Sequence, residues 1–311
     1  MKQSAFVGDH NMKKTLFLIP LLALLALSSC DKKQNSSSPQ SETTSSENDS
    51  SSSSSSSSSS ASGSSFSHSY YSEEEDPESD YYGGYYTSIN KSWTGNTLLN
   101  ALNALIDNSS VKVSYDWSRF TQADEDMENT KNVLLIYSRI SMPKTQQDSG
   151  SNTYCWNREH TFPQSKMSSS KADKDNHIIF ASEKTVNGKR GNKKMGVVTS
   201  GTVVKDFNGV ATTCLYSGNI FDPHNRARAM VARSTMYAAA MYGYDVLDNF
   251  ESVETMLAWN EEFAVDDFDR KRNDVVHTNQ KNRNPFVDHP EFGCKIWGNT
   301  NAQTKSICGL E

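Results

Sequence analysis

The chain has 311 residues and a formal net charge of −6, and 35% of its residues are hydrophobic. The acidic excess lies within residues 1–80, because residues 81–311 contain 26 Lys and Arg against 26 Asp and Glu. This balance excludes an overall positive charge for residues 81–311. Any surface that binds anions must therefore come from local clusters of basic residues.

The first thirty residues have the features of an export signal. Lys13 and Lys14 precede an apolar run over residues 15–27 that is too short to span a bilayer. The run ends in LSSC at 27–30, which resembles a bacterial lipobox, where cleavage precedes the cysteine and the cysteine receives a lipid. The sequence predicts a lipoprotein signal peptide over residues 1–30 with lipid on Cys30. The alternative is an ordinary signal peptide whose cysteine stands there by chance.

Residues 31–80 have the composition of a disordered linker. Residues 50–60 are an unbroken run of serine, and an acidic cluster over residues 73–80 ends the segment. About fifty flexible residues have a root-mean-square reach of roughly 40 Å. A lipid-anchored domain on this linker would therefore stay close to its membrane.

Residues 81–311 are long enough for one domain, which at this size buries roughly 70 to 75% of its extended surface. Helical periodicity follows Thr94, and residues 132–138 are an apolar run typical of a buried strand. A strand pair is predicted over residues 196–204 and 209–217, and helices over residues 226–242, 252–263 and 267–278. Because these elements interleave without strict βαβ alternation, the sequence predicts an α+β class.

A cation, an anion and an imidazole stand together at the end of a further predicted strand. These are Arg158, Glu159 and His160, and a Phe-Pro pair shortly afterwards stops the strand. Neighbouring side chains on a strand point to opposite faces. Glu159 and His160 can therefore serve one site only where the strand bends or ends.

A second polar segment, residues 171–192, follows closely along the chain. If Ser182 caps a short helix there, Glu183, Asn187 and Arg190 share one face by their spacing of three to four residues. The two segments together contain the residue types that a hydrolytic site requires.

Hydrolysis of a phosphodiester needs a base for water, a hard cation on the phosphate oxygens and positive charge near the developing anion. Histidine suits the first role, because its reference pKa of about 6.5 leaves it largely neutral at pH 7. Carboxylate and amide oxygens suit the second, because Mg²⁺ prefers oxygen ligands. The sequence therefore predicts His160 as the base, Glu159 and Asn187 as metal ligands, and Arg158 for packing or phosphate binding.

Two clusters of basic residues could supply a surface for nucleic acid, and a solvated face is the alternative interpretation of each. The first cluster contains Lys184, Lys189, Arg190, Lys193 and Lys194, and the second contains Arg226, Arg228 and Arg233. The predicted contacts to nucleic acid are Arg158, Lys189, Lys193, Lys194 and Arg228.

Four cysteines follow Cys30, and an even number in an exported chain suggests disulfides with three possible pairings. Cys294 with Cys308 would close a short C-terminal loop. Cys155 with Cys214 would join the strand before Glu159 to a later strand. We predict both of these disulfides, and free buried thiols are the alternative. The sequence has no CxxC pair, which argues against a structural zinc site.

Four ordered stretches of the chain carry a more specific pattern. They are NREHTFPQS at 157–165, DNHIIFASEKTVNGKRGN at 175–192, FDPHNRARAMVARSTMYAAAMYG at 221–243 and LAWNEEFAVDDFDRKRNDVVHTNQKNRNPFVDHPEF at 257–292. Together they resemble the bacterial endonuclease I family of the ββα-metal nuclease superfamily. Looser similarity over residues 86–137 extends the resemblance to nearly the whole of residues 81–311.

The resemblance implies a central ββα unit in which His160 is the general base and Glu159 and Asn187 hold a single divalent ion. That ion is expected to be Mg²⁺, with Mn²⁺ or Ca²⁺ as alternatives. The resemblance also implies cleavage of DNA, often RNA as well, with little sequence preference and a 5′-phosphate on the product. His177 and Asn192 are predicted to support the site around its ligands, and an ordinary structural histidine is the alternative for His177.

The chain departs from the family pattern at one position. Some members place an arginine between the two catalytic segments to stabilise the phosphate, but residues 161–182 contain only Lys166, Lys171 and Lys174 as basic residues. Arg190 is the predicted replacement in this catalytic role, and a structural ion pair is its alternative.

Two functions from other classes stay open. A non-catalytic surface lipoprotein could use the fold to bind nucleic acid, although loss of catalysis would be expected to erode Glu159, His160 or Asn187. A zinc hydrolase would need a tetrahedral site, but the chain has neither HExxH nor a second close histidine. The favoured interpretation is an endonuclease at the extracellular face of the membrane, with nucleic acid as its partner and no protein partner implied.

Overall fold

The computed structural model describes residues 78–310. The predicted signal peptide, the lipid attachment at Cys30 and all but the end of the predicted linker lie outside these residues, so the division of the chain into three regions stays a prediction. Among the described residues, no helix has both the length and the apolar character needed to cross a bilayer.

Helices form most of the regular structure between residues 78 and 310, and α4 lies at their centre. Almost every side chain of α4 is buried, and α4 packs against α1, α5 and α7. The helices are α1 (Gly95–Ser109), α2 (Trp117–Ala123), α3 (Lys184–Arg190), α4 (Asn225–Tyr242), α5 (Val253–Glu262), α6 (Asp267–Gln280), α7 (Pro285–Asp288), α8 (Phe292–Trp297) and α9 (Ala302–Ile307).

The strands of the described residues form three small sheets. The first pairs β1 (Asn132–Leu134) with β2 (Ser141–Pro143), and the second pairs β3 (Trp156–His160) with β4 (Ile179–Glu183), both antiparallel. The third has the order β5-β8-β7-β6 and contains β5 (Lys194–Met195), β6 (Thr202–Lys205), β7 (Ala211–Ser217) and β8 (Ile220–Asp222). Helices and small sheets are mixed along the chain, which confirms the α+β class.

Most elements agree with the sequence prediction. The predicted helices correspond to α1, α4, α5 and α6, and the predicted strand pair corresponds to β6 and β7. The predicted strand over residues 132–138 is wrong beyond Leu134, because the chain turns back there. Arg139 has a positive φ of 56° and donates its amide hydrogen to the carbonyl of Leu135. The apolar residues 135–137 are nevertheless buried.

One of the two predicted disulfides is present. Cys294 and Cys308 are bonded, but the predicted pairing of Cys155 with Cys214 is wrong, because both are buried free thiols. Cys155 immediately precedes β3, whereas Cys214 lies in β7 of a different sheet. The thiol of Cys214 instead donates to the carbonyl of Tyr137 over 3.1 Å.

A buried carboxylate holds the connection between β3 and β4 against the helices. Asp175 Oδ1 accepts the backbone amide of His177 and the side-chain amide of Gln280, each over 2.8 Å. Its Oδ2 accepts the hydroxyls of Tyr237 at 2.7 Å and Tyr242 at 2.6 Å. Because each bond to a charged group contributes about 1.5 to 3 kcal/mol, this network fixes the connection firmly on α4 and α6.

His177 lies in the same connection and is wholly enclosed. Its Nε2 is 3.2 Å from the carbonyl of Asn282, and its ring packs against Tyr237 with the centroids 4.5 Å apart. Burial lowers the pKa of His177 to about 4. The structure therefore gives His177 the contacts of a structural histidine, which was the alternative in the sequence prediction.

We expect His177 to make the fold sensitive to acid. Above pH 6.5 the side chain is neutral in both states and contributes nothing. As the pH falls from about 6.5 to 4, the unfolded chain binds a proton that the folded chain excludes, so up to about 3 kcal/mol of stability is lost. Urea unfolding at pH 7 and pH 4.5 should show that His177→Gln loses less unfolding free energy between the two pH values than the wild type does. The glutamine can donate to the carbonyl of Asn282 but does not titrate. An equal loss in both proteins would contradict this expectation.

Candidate active site

The two polar segments of the sequence form one ββα unit. Antiparallel pairing of β3 with β4 sets Glu159 opposite Phe180 and His160 opposite Ile179, and α3 follows β4 directly. The side chain of Glu183, rather than the predicted Ser182, caps α3 by accepting the amide of Val186 over 2.8 Å. The helix begins one residue after β4, so its first turns lie against β3.

Two pairs of side chains connect β3 to α3. Asn157 and Glu159 are two residues apart on β3, so their side chains share the face of the strand that meets α3. Asn187 Nδ2 donates to Asn157 Oδ1 over 2.9 Å, and Arg190 Nη1 donates to Glu159 Oε1 over 3.1 Å. Residues two apart on a strand thus meet residues three apart on a helix, so Glu159 and Asn187 lie on the facing sides of β3 and α3.

Glu159 is a buried carboxylate with an uneven set of partners. Its Oε1 accepts the hydroxyl of Tyr137 over 2.6 Å as well as Arg190, so both of these side-chain bonds fall on one oxygen. Burial raises the pKa of Glu159 to about 6, while the charge of Arg190 and the bond from Tyr137 act in the opposite direction. The backbone amide of His160 also stabilises this carboxylate, and no side-chain bond of the described residues falls on Oε2, which makes Oε2 the oxygen that can contact a ligand.

His160 lies on the opposite face of β3, at the last residue of the strand. Its Nε2 is 3.2 Å from the carbonyl of Asp173, and its ring stacks on Tyr115 with the centroids 6.3 Å apart. Burial lowers the pKa of His160, which favours the neutral ring. A neutral ring that donates from Nε2 to Asp173 keeps an unprotonated Nδ1 able to accept a proton.

Residues 94–291, which include β3, β4 and α3, match the family described as Endonuclease I. The chain belongs to the endonuclease I family. The resemblance noted in the sequence is therefore confirmed, and the family places the chain among endonucleases, which hydrolyse phosphodiester bonds. The endonuclease I family is generally dependent on a divalent metal ion.

Two similar proteins carry a more specific description. The extracellular ribonuclease of Bacillus subtilis (strain 168) is 32% identical over 227 residues, which are 66% of this chain and 75% of that protein. The extracellular ribonuclease of Bacillus amyloliquefaciens is 30% identical over 225 residues, with the same shares of 66% and 75%.

The residues at the β3–α3 junction fit the divalent ion that the endonuclease I family generally uses. Glu159 offers a carboxylate oxygen and Asn187 an amide oxygen, and both are hard ligands. Between residues 78 and 310, no group of three or more His, Cys, Asp or Glu could hold a metal ion. Two protein oxygens completed by several waters is a coordination that Mg²⁺ favours.

Arg190 does not lie where the sequence prediction needs it. Only 1% of its surface is exposed. In addition to Glu159, its guanidinium donates to the carbonyls of His160 at 3.0 Å and Thr161 at 2.7 Å and to Asn249 Oδ1 at 2.6 Å. The predicted contact with phosphate is thus at odds with its burial, and the geometry is that of a structural ion pair.

Two further arginines are held by protein partners. The guanidinium of Arg158 lies 3.6 Å from the ring centroid of Tyr115 and 4.1 Å from that of Trp117. Arg228 makes two bonds of 2.9 Å to the carboxylate of Asp222. These partners hold both guanidinium groups in place and give Arg158 a packing role, and contact of either arginine with nucleic acid stays a prediction.

The lysines of the first basic cluster lie nearer the surface. Lys189 is exposed on α3, and Lys194 is half-buried in β5. Lys193 is half-buried, and its Nζ donates to the carbonyl of Lys189 over 2.9 Å and lies 5.4 Å from the ring centroid of Tyr216. Asn192 is exposed in the turn after α3, where no bond to Glu159 or Asn187 is seen among the described contacts.

The loop between β3 and β4 holds the three lysines that stand where some relatives have an arginine. Lys166 pairs with Asp248 over 2.8 Å, and Lys171 pairs with Asp107 over 2.5 Å. Lys174 is exposed and follows Asp173 directly, whose carbonyl contacts His160.

Two polar residues of the site were not predicted from the sequence. Asn157 could have been found, because it precedes Glu159 by two positions and shares its face of β3. Tyr137 ends the apolar run that was assigned to a strand, and nothing local indicates that its hydroxyl reaches Glu159. Strand alternation indicates Asn157, whereas the role of Tyr137 depends on tertiary structure.

Proposed function

We propose that this protein is an exported, divalent-metal-dependent endonuclease that cleaves DNA and RNA with little sequence preference. The proposal rests mainly on one observation: β3 and α3, which meet through the Asn187–Asn157 and Arg190–Glu159 bonds, carry Glu159 and Asn187 on their facing sides, and His160 is the last residue of β3. The extracellular ribonucleases among its relatives support RNA as a second substrate and export as the destination.

In the proposed reaction, His160 activates the attacking water. Its Nε2 hydrogen is held by the carbonyl of Asp173, so Nδ1 takes the proton from the water as its oxygen bonds to phosphorus. The bond between phosphorus and O3′ breaks, O3′ leaves with the bonding electron pair and takes a proton from solvent water to become the 3′-hydroxyl of one product, and the phosphate remains on the 5′-oxygen of the other. Glu159 and Asn187 would hold the divalent ion, which supplies charge stabilisation for the phosphate and the leaving oxygen.

The location follows from the N-terminal segment. An export signal over residues 1–30 and lipid on Cys30 would hold the enzyme at the extracellular face of the membrane, on a linker that extends to about residue 80. Mass spectrometry of the mature protein should find its N-terminus at a lipid-modified Cys30. An unmodified N-terminus elsewhere would contradict the lipid anchor but not the nuclease activity.

Degradation of two unrelated substrates tests the activity. The purified protein with Mg²⁺ should cut supercoiled plasmid and a long RNA, and EDTA should abolish both reactions. The cut ends should be ready substrates for a ligase that requires a 5′-phosphate. Binding of both substrates without cleavage at any metal concentration would instead favour the non-catalytic surface lipoprotein.

The lysines of α3 and of the residues just after it, of which Lys189 is exposed and Lys193 and Lys194 are half-buried, should bind substrate through phosphates and carry no sequence information. Replacing Lys189, Lys193 and Lys194 by alanine should therefore flatten the dependence of log affinity on log salt by up to about three for duplex DNA. Affinity for all sequences should fall alike, and Lys305→Ala in α9 should leave the slope unchanged. An unchanged slope in the triple variant would remove these lysines from the binding surface.

A further inference from the structure

Each of the two proposed metal ligands has one polar atom already occupied by a protein partner. Glu159 Oε1 accepts from Tyr137 and Arg190, and Asn187 Nδ2 donates to Asn157. The partners occupy the atoms that a cation does not need. The remaining atoms are Glu159 Oε2 and Asn187 Oδ1, which are the oxygens that a cation would bind.

Tyr137 is rigidly held in this position. Its side chain is fully buried, and its ring packs against Phe221 with the centroids 5.1 Å apart. Its carbonyl accepts the amide of His224 over 2.9 Å, and the preceding residue, Ile136, donates its amide to Ala181 of β4 over 2.8 Å. The backbone at Ile136 and Tyr137 is therefore hydrogen-bonded to the structure around the site, which fixes the position of the Tyr137 hydroxyl.

The bond from Tyr137 is the more selective restraint on Glu159. Arg190 divides its two terminal nitrogens among four acceptors, whereas the Tyr137 hydroxyl donates to Glu159 alone and over the shorter distance of 2.6 Å. Without that hydroxyl, the carboxylate can rotate both oxygens toward Arg190. Such a rotation would withdraw Oε2 from a cation.

Asn157 restrains an amide rather than a carboxylate. An amide that turns over exchanges its oxygen for an NH₂ group, which repels a cation. The acceptor on Asn157 bonds only the NH₂ end of Asn187, so it selects the orientation that leaves Oδ1 free of Asn157. Removing that acceptor leaves either orientation open.

We infer that Tyr137 and Asn157 are positioning residues, which determine the oxygen that Glu159 and Asn187 each present to the divalent ion. The inference rests on the proposed function, because it requires these two residues to be the ligands. It extends the site from two ligands and a base to a shell of orienting side chains, and such partners commonly change metal affinity by about 10- to 100-fold.

Binding of Mn²⁺ to the full chain, followed by electron paramagnetic resonance in the absence of substrate, tests the role of Tyr137. Tyr137→Phe should weaken Mn²⁺ binding by about 10-fold or more. Tyr237→Phe is the matched control, because Tyr237 is also a buried tyrosine whose hydroxyl donates to a buried carboxylate, Asp175, outside the site. Both substitutions should lower the thermal unfolding temperature, but the control should bind Mn²⁺ like the wild type.

A pair of substitutions at Asn157 tests the second restraint. Asn157→Ala removes the acceptor and should weaken Mn²⁺ binding by about 10-fold. Asn157→Asp keeps an acceptor for Asn187 Nδ2 and adds negative charge near the ion, so it should bind Mn²⁺ at least as tightly as the wild type. Equal weakening by the two substitutions would overturn the role of Asn157, because general disruption of the site does not distinguish them.

Glu159→Gln distinguishes a failure of the ligand assignment from a failure of the positioning roles. If Glu159→Gln binds Mn²⁺ like the wild type, the ligand assignment in the proposed function is wrong. If Glu159→Gln loses binding while Tyr137→Phe and Asn157→Ala retain wild-type affinity, the ligands stand and the positioning roles are wrong. Weak binding in all three, with Tyr237→Phe unaffected, supports both.

Discussion

His160→Ala should lower kcat by about 10² to 10⁴-fold and leave substrate binding nearly unchanged. The substitution removes the Nδ1 that accepts the proton of water, but it removes no ligand of the divalent ion and none of the exposed lysines. Single-turnover cleavage of a labelled duplex, together with binding measured in EDTA, separates the rate of the chemical step from affinity. The loss should appear in the rate alone.

The fold should tolerate this change. The side chain of His160 makes one hydrogen bond, to the carbonyl of Asp173, and the loss of that bond costs about 1 kcal/mol. The ring also leaves a space beside Tyr115, which added imidazole can enter. Partial recovery of the rate with imidazole would identify a missing base, whereas near wild-type turnover of His160→Ala without imidazole would remove His160 from the mechanism.

The sequence predicts the four longest helices of the described residues because their signals are local. In α4 a long apolar pattern runs from the turn at His224, whose side chain caps the helix, to Gly243, which has a φ of 68°. Strand prediction fails over residues 135–138 because an apolar run reports burial and not conformation. The chain there turns back while its side chains stay in the core.

The proposed ligands and the proposed base come from residue types in two short segments, but the partners of these residues were not predicted. Arg190 is the clearest case, because a basic residue looks the same in a sequence whether it is solvated or buried. Asn249, which lies 59 positions later in the chain, and Glu159 on β3 supply its acceptors. Only the packed structure shows that both terminal nitrogens of Arg190 donate to protein acceptors.

The cysteines show the same limit. An even number of cysteines in an exported chain predicts disulfides, and the nearby pair Cys294 and Cys308 is bonded. Cys155 and Cys214 precede or lie within strands of different sheets, and the sequence does not say which strands adjoin. Pairing over a long separation depends on sheet topology, which residue spacing does not determine.

Loss of either proposed ligand should have an effect as large as loss of the base. A bound cation contributes several kcal/mol to the stabilisation of a phosphoryl transition state, which corresponds to about 10²-fold or more in rate. Glu159→Gln is a cleaner test than Glu159→Ala, because the amide oxygen still accepts from Tyr137 and Arg190. Alanine would leave Arg190 buried without its carboxylate, which costs about 3 to 5 kcal/mol of stability.

Asn187 gives the sharper comparison, because its half-buried side chain can be changed with little cost to folding. Asn187→Ala removes the oxygen ligand and should shift the Mg²⁺ titration of activity to higher concentration as well as lower the maximal rate. Asn187→Asp restores an oxygen ligand and adds a charge that attracts the ion, so its titration should lie at or below the wild-type concentration. Because the aspartate cannot donate to Asn157, it also loses one orienting bond, and its maximal rate should remain below that of the wild type. Asn187 is not a ligand if activity depends on Mg²⁺ concentration in the same way in Asn187→Ala, Asn187→Asp and the wild type.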